Sequence, residues 1–533
     1  MKRSILLFIA IYTLITAVLA QSPIAWKTLK GGTANEKVTD MIITDSTYVF
    51  LSTTNSTNYD VPINYGNEDI WLFSLDKTTN GVGFSVVYGA DNIDQSAALF
   101  LIDSTFYATG VTKSHEGLFI QNHGTFGTDI FSIKTNLNGN ILDTNVYGGS
   151  SNESLIASKL FNGKLIWEGS SNSIDGDLLN CTTSSSKHQW ICKTNKNSDL
   201  VKSYCNDTIQ LNNGDLHEIT NGYFLICSGK VSLNGGYTYP SYSSNGNPSG
   251  YSSDLLVLKY DTSFNIINIK NYGSDSEEGF VKSLKTNDNG FIILGFTDFI
   301  HDTLEVNGGI GSRDIFCVKI DSNANFQWSK CLGTFGPDEP KDIIQTNDGG
   351  YLIFSSIQQA SGDVSNYYGS YDTWLAKIDS MGNLMWEHTY GGSNIDAPNI
   401  VREDSDGYII IAGRTMSNDG FFAGLTNHGG NDIFIIKLAP WVGINSSEKT
   451  DFSVRIYPNP TQSSSSINLK GLPIKNNQYQ LSIYNIQGQQ LNSQEFNASY
   501  TKQIQLPQLS NGVYFIRLIN EEGVVRTAKF IIN

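Results

Sequence analysis

The sequence predicts an all-β fold: a ring of seven four-stranded sheets with a smaller β domain behind it. Three observations lead there. The 533 residues include 50 Gly, 26 Tyr and 27 Phe but only 16% charged residues, a composition of many short strands and tight turns, unlike that of a disordered acidic chain. One strand pattern recurs about every sixty residues, the sign of a repeat architecture. The recurrence also runs out of phase, with one strand too many at the front and one too few at the back.

Residues 1–20 read as a signal peptide. Lys2 and Arg3 precede an apolar run at 5–18, which ends in Val18-Leu19-Ala20 before Gln21. A membrane anchor would need about 20 apolar residues, and no later stretch offers a transmembrane segment. With 35 Lys+Arg against 51 Asp+Glu the formal charge is −16, which argues against nucleic acid or an anionic membrane as partner. Export makes disulfides permissible. Cys317 and Cys331 flank an expected hairpin turn at Ser322-Asn323-Ala324-Asn325, almost symmetrically, so a cross-strand bridge is expected there. The pairing of Cys181, Cys192, Cys205 and Cys227 stays open.

Residues 21–440 carry the repeat. Its clearest copy is Asp314-Ile315-Phe316-Cys317-Val318-Lys319-Ile320-Asp321. Others start at Asp69, Asp129, Asp254, Asp372 and Asp432, with a worn copy at His188. Each unit holds four strand-like segments. In the last, residues 399–403 pass through Asp404-Ser405-Asp406-Gly407 into an apolar run at 408–412. Asp/Asn-Gly pairs admit positive φ and close hairpins, and a run apolar at every position suits a strand buried on both faces. The fourth strand ends in Trp-x-x-x-x-Gly-Gly, as at 386–392.

That fourth-strand motif also occurs at 26–32, before any first strand, while the last third strand runs to Leu438 and meets Pro440 with no fourth strand after it. An open solenoid gives no reason for such an offset. A closed ring does, because the first strand can complete the last sheet. Four-stranded sheets repeated radially form a β-propeller, here seven-bladed. A parallel β-helix is the alternative, but its repeats are shorter and lack paired hairpin turns. With the motif of residues 372–392 on the page, the region 26–438 resembles the seven-bladed β-propeller repeat family of bacterial exported proteins; units three and four match it only diffusely.

Residues 441–451 form a polar linker, and 452–533 a separate unit whose short strands suit a small Ig-like β-sandwich. Four motifs occur there in order: Ile456-Tyr457-Pro458-Asn459-Pro460, Ile483 to Gly488, Leu509-Ser510-Asn511-Gly512-Val513-Tyr514, and Lys529 to Asn533. Together they resemble the type A C-terminal sorting domain of the Bacteroidetes type IX secretion system. That resemblance implies export through the periplasm and then across the outer membrane, with the type IX machinery as partner and release or surface attachment as the end.

Candidate chemistry is sparse. No GxSxG elbow, HExxH helix, P-loop or EF-hand loop is present, and the repeat region holds only three arginines, Arg313, Arg402 and Arg414. One pattern stands out. Five residues after the first Gly (or its equivalent) following the fourth strand comes an acid: Glu36, Asp94, Glu153, Glu278, Asp338 and Asp396. These carboxylates are expected to ring one mouth of a central channel. Clustered oxygens suit a hard cation such as Ca²⁺. Equally, each carboxylate can accept hydrogen bonds from loop N–H groups and fix one blade to the next, and a role repeated six times favours that reading. The longest loop, 228–253, carries Tyr237, Tyr239, Tyr242 and Tyr251 among Gly, Ser and Asn, a composition suited to contact with a glycan or protein. An enzyme should show an acid/base pair departing from the repeat in one or two units, and none stands out. The expectation is therefore a secreted or cell-surface, non-enzymatic binding or adhesion module for protein or polysaccharide, without a resident cofactor. A polysaccharide-active hydrolase or lyase with its site on the propeller face is the second hypothesis.

Overall fold

The computed structural model describes residues 24–440 and 455–532, apart from 125–126, 162–163, 179–187, 196–198, 207–208, 232–253, 275–276, 299–308, 458–460, 464, 471–477, 486–488, 498–500 and 521–524. The expected signal peptide, the linker and the four loop tyrosines lie outside the described residues. The chain is all-β, and it divides into two compact units, one of them Ile24–Pro440.

Within 24–440 the described strands form seven four-stranded antiparallel sheets, six of which are built from four consecutive strands. The first contains Glu36–Ile43, Thr47–Thr54, Asp69–Asp76 and Val82–Tyr88. The seventh is assembled differently. Asp396–Glu403, Ile409–Thr415 and Asp432–Leu438 are joined by the first strand of the chain, Ile24–Lys30, with Trp26 opposite Lys437, Thr28 opposite Ile435 and Lys30 opposite Ile433. The orphan strand found in the sequence thus completes the last sheet.

The innermost strands run against one another in order, and Asp396–Glu403 of the seventh sheet lies back against Glu36–Ile43 of the first. Side chains cross the same boundary. Tyr48 donates its hydroxyl to Asp404 at 2.9 Å, and the backbone N–H of Glu36 donates to Asn431 O at 2.8 Å. The all-apolar strands explain themselves here. Ile409–Thr415 buries both faces. Within the first sheet, Tyr48, Phe50, Trp71 and Phe73 pack with Ile410, Ala412, Ile433 and Ile435 of the seventh, whereas Val49, Leu51, Ile70 and Leu72 pack with Leu99, Phe106 and Phe131 of the second. A two-residue alternation therefore serves two neighbours at once.

The repeated lysine and aspartate also find roles. Lys319 and Lys377 are buried and reach the turns of their own sheets, to Asp288 at 2.8 Å and Asp348 at 2.9 Å. The hairpin aspartates fold their turns by accepting backbone N–H groups, as Asp379 does from Met381 and Asn383, both at 2.9 Å.

The expected Cys317–Cys331 bridge is absent: both are buried thiols not bonded to each other. The cause is a register shift between Lys319 and Ile320, which sets Cys331 opposite Phe316 and Cys317 opposite Lys330. One residue of slip places the two side chains on opposite faces of the sheet, so Cys317 joins the core shared with the sixth sheet and Cys331 the core shared with the fourth.

In the C-terminal unit, Arg455–Tyr457, Ser466–Lys470 and Thr501–Gln505 form one antiparallel sheet. Gln490–Asn497, Gln478–Asn485, Gly512–Asn520 and Val525–Ile532 form another. Ile467 and Leu469 of the first share a core with Leu481, Ile483, Ile516, Leu518 and Phe530 of the second.

Candidate functional site

The six acids picked out by spacing all open, or directly precede, the innermost strand of a sheet, and all six are buried. Each accepts the backbone N–H four residues earlier: Gly32 to Glu36 at 2.9 Å, Ala90 to Asp94 at 2.9 Å, Gly149 to Glu153 at 3.3 Å, Ser274 to Glu278 at 3.0 Å, Thr334 to Asp338 at 2.6 Å and Gly392 to Asp396 at 2.6 Å. Hydroxyls fill the remaining positions, as Ser171 and Ser173 do for Glu153, both at 2.6 Å. The acids hold the loop that passes from one sheet to the next. They are turned into those loops, and none of them lines the channel cavity. Among the described residues, no three His, Cys, Asp or Glu side chains gather as metal ligands.

The channel itself carries the charges that spacing did not reveal. Every innermost strand has a bulge at the same place, between Val38 and Asp40 in the first sheet and between Pro340 and Asp342 in the sixth. A bulge re-aims the side chains around it. A cavity of about 310 Å³ lies among all seven strands, and Asp40, Asp215, Asp342, Lys159, Lys282 and Arg402 line it. Arg402 forks between two carboxylates, donating to Asp342 at 2.7 Å and to Asp40 at 2.8 Å. Lys282 pairs with Asp342, and Lys159 stands 3.6 Å from Asp215.

The same acids knit the strands together. Asp40 accepts Leu99 N–H, Asp215 accepts Ser283 N–H and Asp342 accepts Val401 N–H, at 2.9, 2.8 and 2.9 Å. Each thereby covers an open edge of the following innermost strand. Although burial opposes it, pairing with Lys282 and Arg402 leaves Asp342 below the usual carboxylate range. His217, behind the channel, is half-buried and pushed down to about 4 by desolvation; its Nε2 lies 2.7 Å from the Ser283 hydroxyl.

The column could have been read from the sequence. Four residues after the loop acids come Asp40, Ala98, Ala157, Lys282, Asp342 and Ile400. At this column the units depart from one another, with acids, a lysine and apolar residues at equivalent positions. At the mouth where the innermost strands begin, Lys37, Lys341 and Arg414 come close enough that, after burial, their like charges lower the Lys37 ammonium.

His123 and His428, which occupy equivalent loops, each serve their own sheet. Their Nδ1 atoms lie 2.9 Å from Asp129 and 3.1 Å from Asp432. In the C-terminal unit, Gly512 opens a strand opposite Ile532, and Tyr514 donates its hydroxyl to Ser510 O at 2.8 Å. Pro458, Asn459, Pro460, Gly488 and the Lys529 side chain lie outside the described residues.

Residues 455–533 match the family described as the secretion system C-terminal sorting domain. The C-terminal segment is a secretion sorting domain. It marks the chain as a type IX cargo, exported to the extracellular space or the cell surface, and no helix among the described residues is long and apolar enough to cross a membrane. No curated protein matches the chain. Solved structures similar to it include hydrazine synthase of Kuenenia stuttgartiensis, 9% identical, with a TM-score of 0.40 over 76% of this chain and 96% of that one. The plexin A4 extracellular region is 9% identical, with a TM-score of 0.43 over 95% and 62%. The polysaccharide lyase Uly1 is 8% identical, with a TM-score of 0.40 over 77% and 90%. Likenesses this distant carry no argument about activity.

Proposed function

We propose that residues 24–440 form a seven-bladed β-propeller that acts outside the cell as a non-enzymatic binding module for a protein or polysaccharide. The sorting domain is the observation that carries the extracellular setting. The binding role draws on the edge where the innermost strands begin. The loops between second and third strands open onto that edge, as do those between consecutive sheets. They expose Tyr59, Tyr65, Phe335 and Tyr368. Aromatic side chains with fixed backbones give contact area at little entropic cost. The channel carboxylates support binding over acid–base chemistry, since Asp40, Asp215 and Asp342 are each engaged by a cation and a backbone N–H.

The test is binding of the purified full chain to immobilised extracellular polysaccharides and cell-surface proteins. Tyr59→Ala with Tyr368→Ala should weaken capture severalfold without altering thermal stability. Release of new reducing or unsaturated sugar ends from any of these polymers would overturn the reading in favour of a hydrolase or lyase.

A further inference from the structure

Five of the joints between sheets hold a second carboxylate besides the acid already described. Asp69, Asp129, Asp314, Asp372 and Asp432, from the third strands, are fully buried, and in each of them Oδ1 has no hydrogen-bond donor among the described residues. The other oxygen is well served. Asp314 Oδ2 accepts Ile310 N–H at 2.8 Å and Gly311 N–H at 3.2 Å, and Asp372 Oδ2 accepts the N–H groups of Tyr368 and Gly369.

The orphan oxygen faces the next sheet's acid across a glycine. A Cβ on Gly31 would collide with Asp432 Oδ1 and stand 2.5 Å from Glu36 Oε2. A Cβ on Gly148 would collide with Asp129 Oδ1 and stand 2.8 Å from Glu153 Oε2. In three further pairs, Asp69 with Asp94, Asp314 with Asp338 and Asp372 with Asp396, the charge of one member raises the other, and one member presses on the glycine: Asp69 on Gly89, Asp338 on Gly333 and Asp372 on Gly391.

Two desolvated carboxylates side by side cannot both stay charged without a counter-ion. At Asp314–Asp338 and Asp372–Asp396, no Lys, Arg or His bonds either carboxylate among the described residues. The groups that face these pairs make matters worse. Asp363 faces Asp314 and Asp338, with Lys330 beyond it; Asp419 faces Asp396; Tyr367 lies beside Asp372; Asp91 faces Asp94. The other two joints have a histidine, His123 at Asp129 with Asp177 nearby, and His428 at Asp432 with Asp60 nearby.

We propose that the loops between sheets are proton-binding joints, in which a third-strand aspartate and the first acid of the next sheet share one proton, so that mild acidity tightens the assembly. The shared hydrogen gives the orphan oxygen its missing partner and removes one of two like charges. Burial, the largest cause in each case, pushes Asp372 and Asp338 up to about 7, and Asp69 and Asp396 up to about 6. A carboxyl raised in the folded state carries its full penalty on folding above its folded pKa, and that penalty shrinks progressively as pH falls from there toward the unfolded pKa. For a joint titrating near 7, the folding constant should rise roughly fourfold between pH 8.5 and 6.5. Below that window His217 and His388, half-buried and lowered by desolvation, pull the other way.

The experiment is thermal unfolding of the full chain at pH 8.5 and 6.5, beside Asp372→Asn and Asp314→Asn. The asparagine amide supplies permanently the hydrogen that the proton supplies in acid. The wild type should melt higher at pH 6.5. Each variant should melt above the wild type at pH 8.5, with the gap shrinking by about fourfold in folding constant at pH 6.5. A wild-type melting temperature that is flat or falls on acidification overturns the proposal, as do variants destabilised equally at both pH values. Should a variant not fold, calorimetry of the wild type in buffers of different ionisation enthalpy decides instead: release on unfolding at pH 7 of more than the one proton that buried Glu168, raised to about 8, accounts for supports the joints, and release of no more than that overturns them.

Discussion

Replacing Arg402 by methionine tests the reading of the channel most sharply. The guanidinium bridges Asp342, which is buried, and Asp40, so its loss strands two carboxylates of the first and sixth sheets. Removing one partner from a buried ion pair costs about 3–5 kcal/mol. Two features reduce that figure here: Arg402 is 24% exposed, and Asp342 keeps Lys282 and the Val401 N–H. A destabilisation of about 2–3 kcal/mol follows. Urea unfolding should show a lower midpoint with an unchanged slope, because the surface exposed on unfolding stays the same. In an Asp342→Asn background the same change should cost at least about 1 kcal/mol less, the mark of a direct coupling. A loss below about 0.5 kcal/mol in the wild-type background, or equal losses in both backgrounds, would refute the claim that the fork holds the sheets together.

Other consequences are open to measurement. Gly391→Ala should destabilise by more than about 2 kcal/mol, since its methyl would run into the Asp372 carboxylate; Gly424→Ala, with open space around it, should show only the strain of its φ of +84°. Tyr48→Phe removes a buried hydroxyl bond to Asp404 between the first and seventh sheets, and should lower stability by about 1–2 kcal/mol in urea titrations. Peptide mapping after alkylation of the denatured chain should yield no Cys317–Cys331 linked fragment. Under strong acid the stability trend reverses. Despite burial, Lys319 and neighbouring donors hold Asp288 down at about 2, so its contribution is present above the unfolded carboxylate range and is lost as pH falls through about 2; melting curves from pH 5 to 2 should show that decline.

The architecture was largely written in local pattern. Strand order, hairpin turns and the doubly buried strands follow from residues near one another, and the unpaired strand at 24–30 announced its partner through the missing strand after Leu438. The candidate site was legible only in part. Spacing found Glu36, Asp94, Glu153, Glu278, Asp338 and Asp396 because a five-residue loop imposes it, but the ligands of those carboxylates are loop donors. Asp40, Lys282 and Asp342 stand at a constant four-residue offset from those acids, but their pairing was not legible, because Asp40, Asp342 and Arg402 meet only once distant sheets are neighbours. The cysteine bridge failed for a related reason: symmetry about a turn says nothing of a register slip inside the hairpin.

The proposed circular closure underlies the reading of the channel, its mouth and the joints. Hydrogen exchange by mass spectrometry on the full chain addresses it directly, through peptides covering 24–30 and 432–438. The amides of both should be protected together and released only by the global unfolding of the unit. Exchange of 24–30 at the rate of a free peptide, while 432–438 stays protected, would contradict the account.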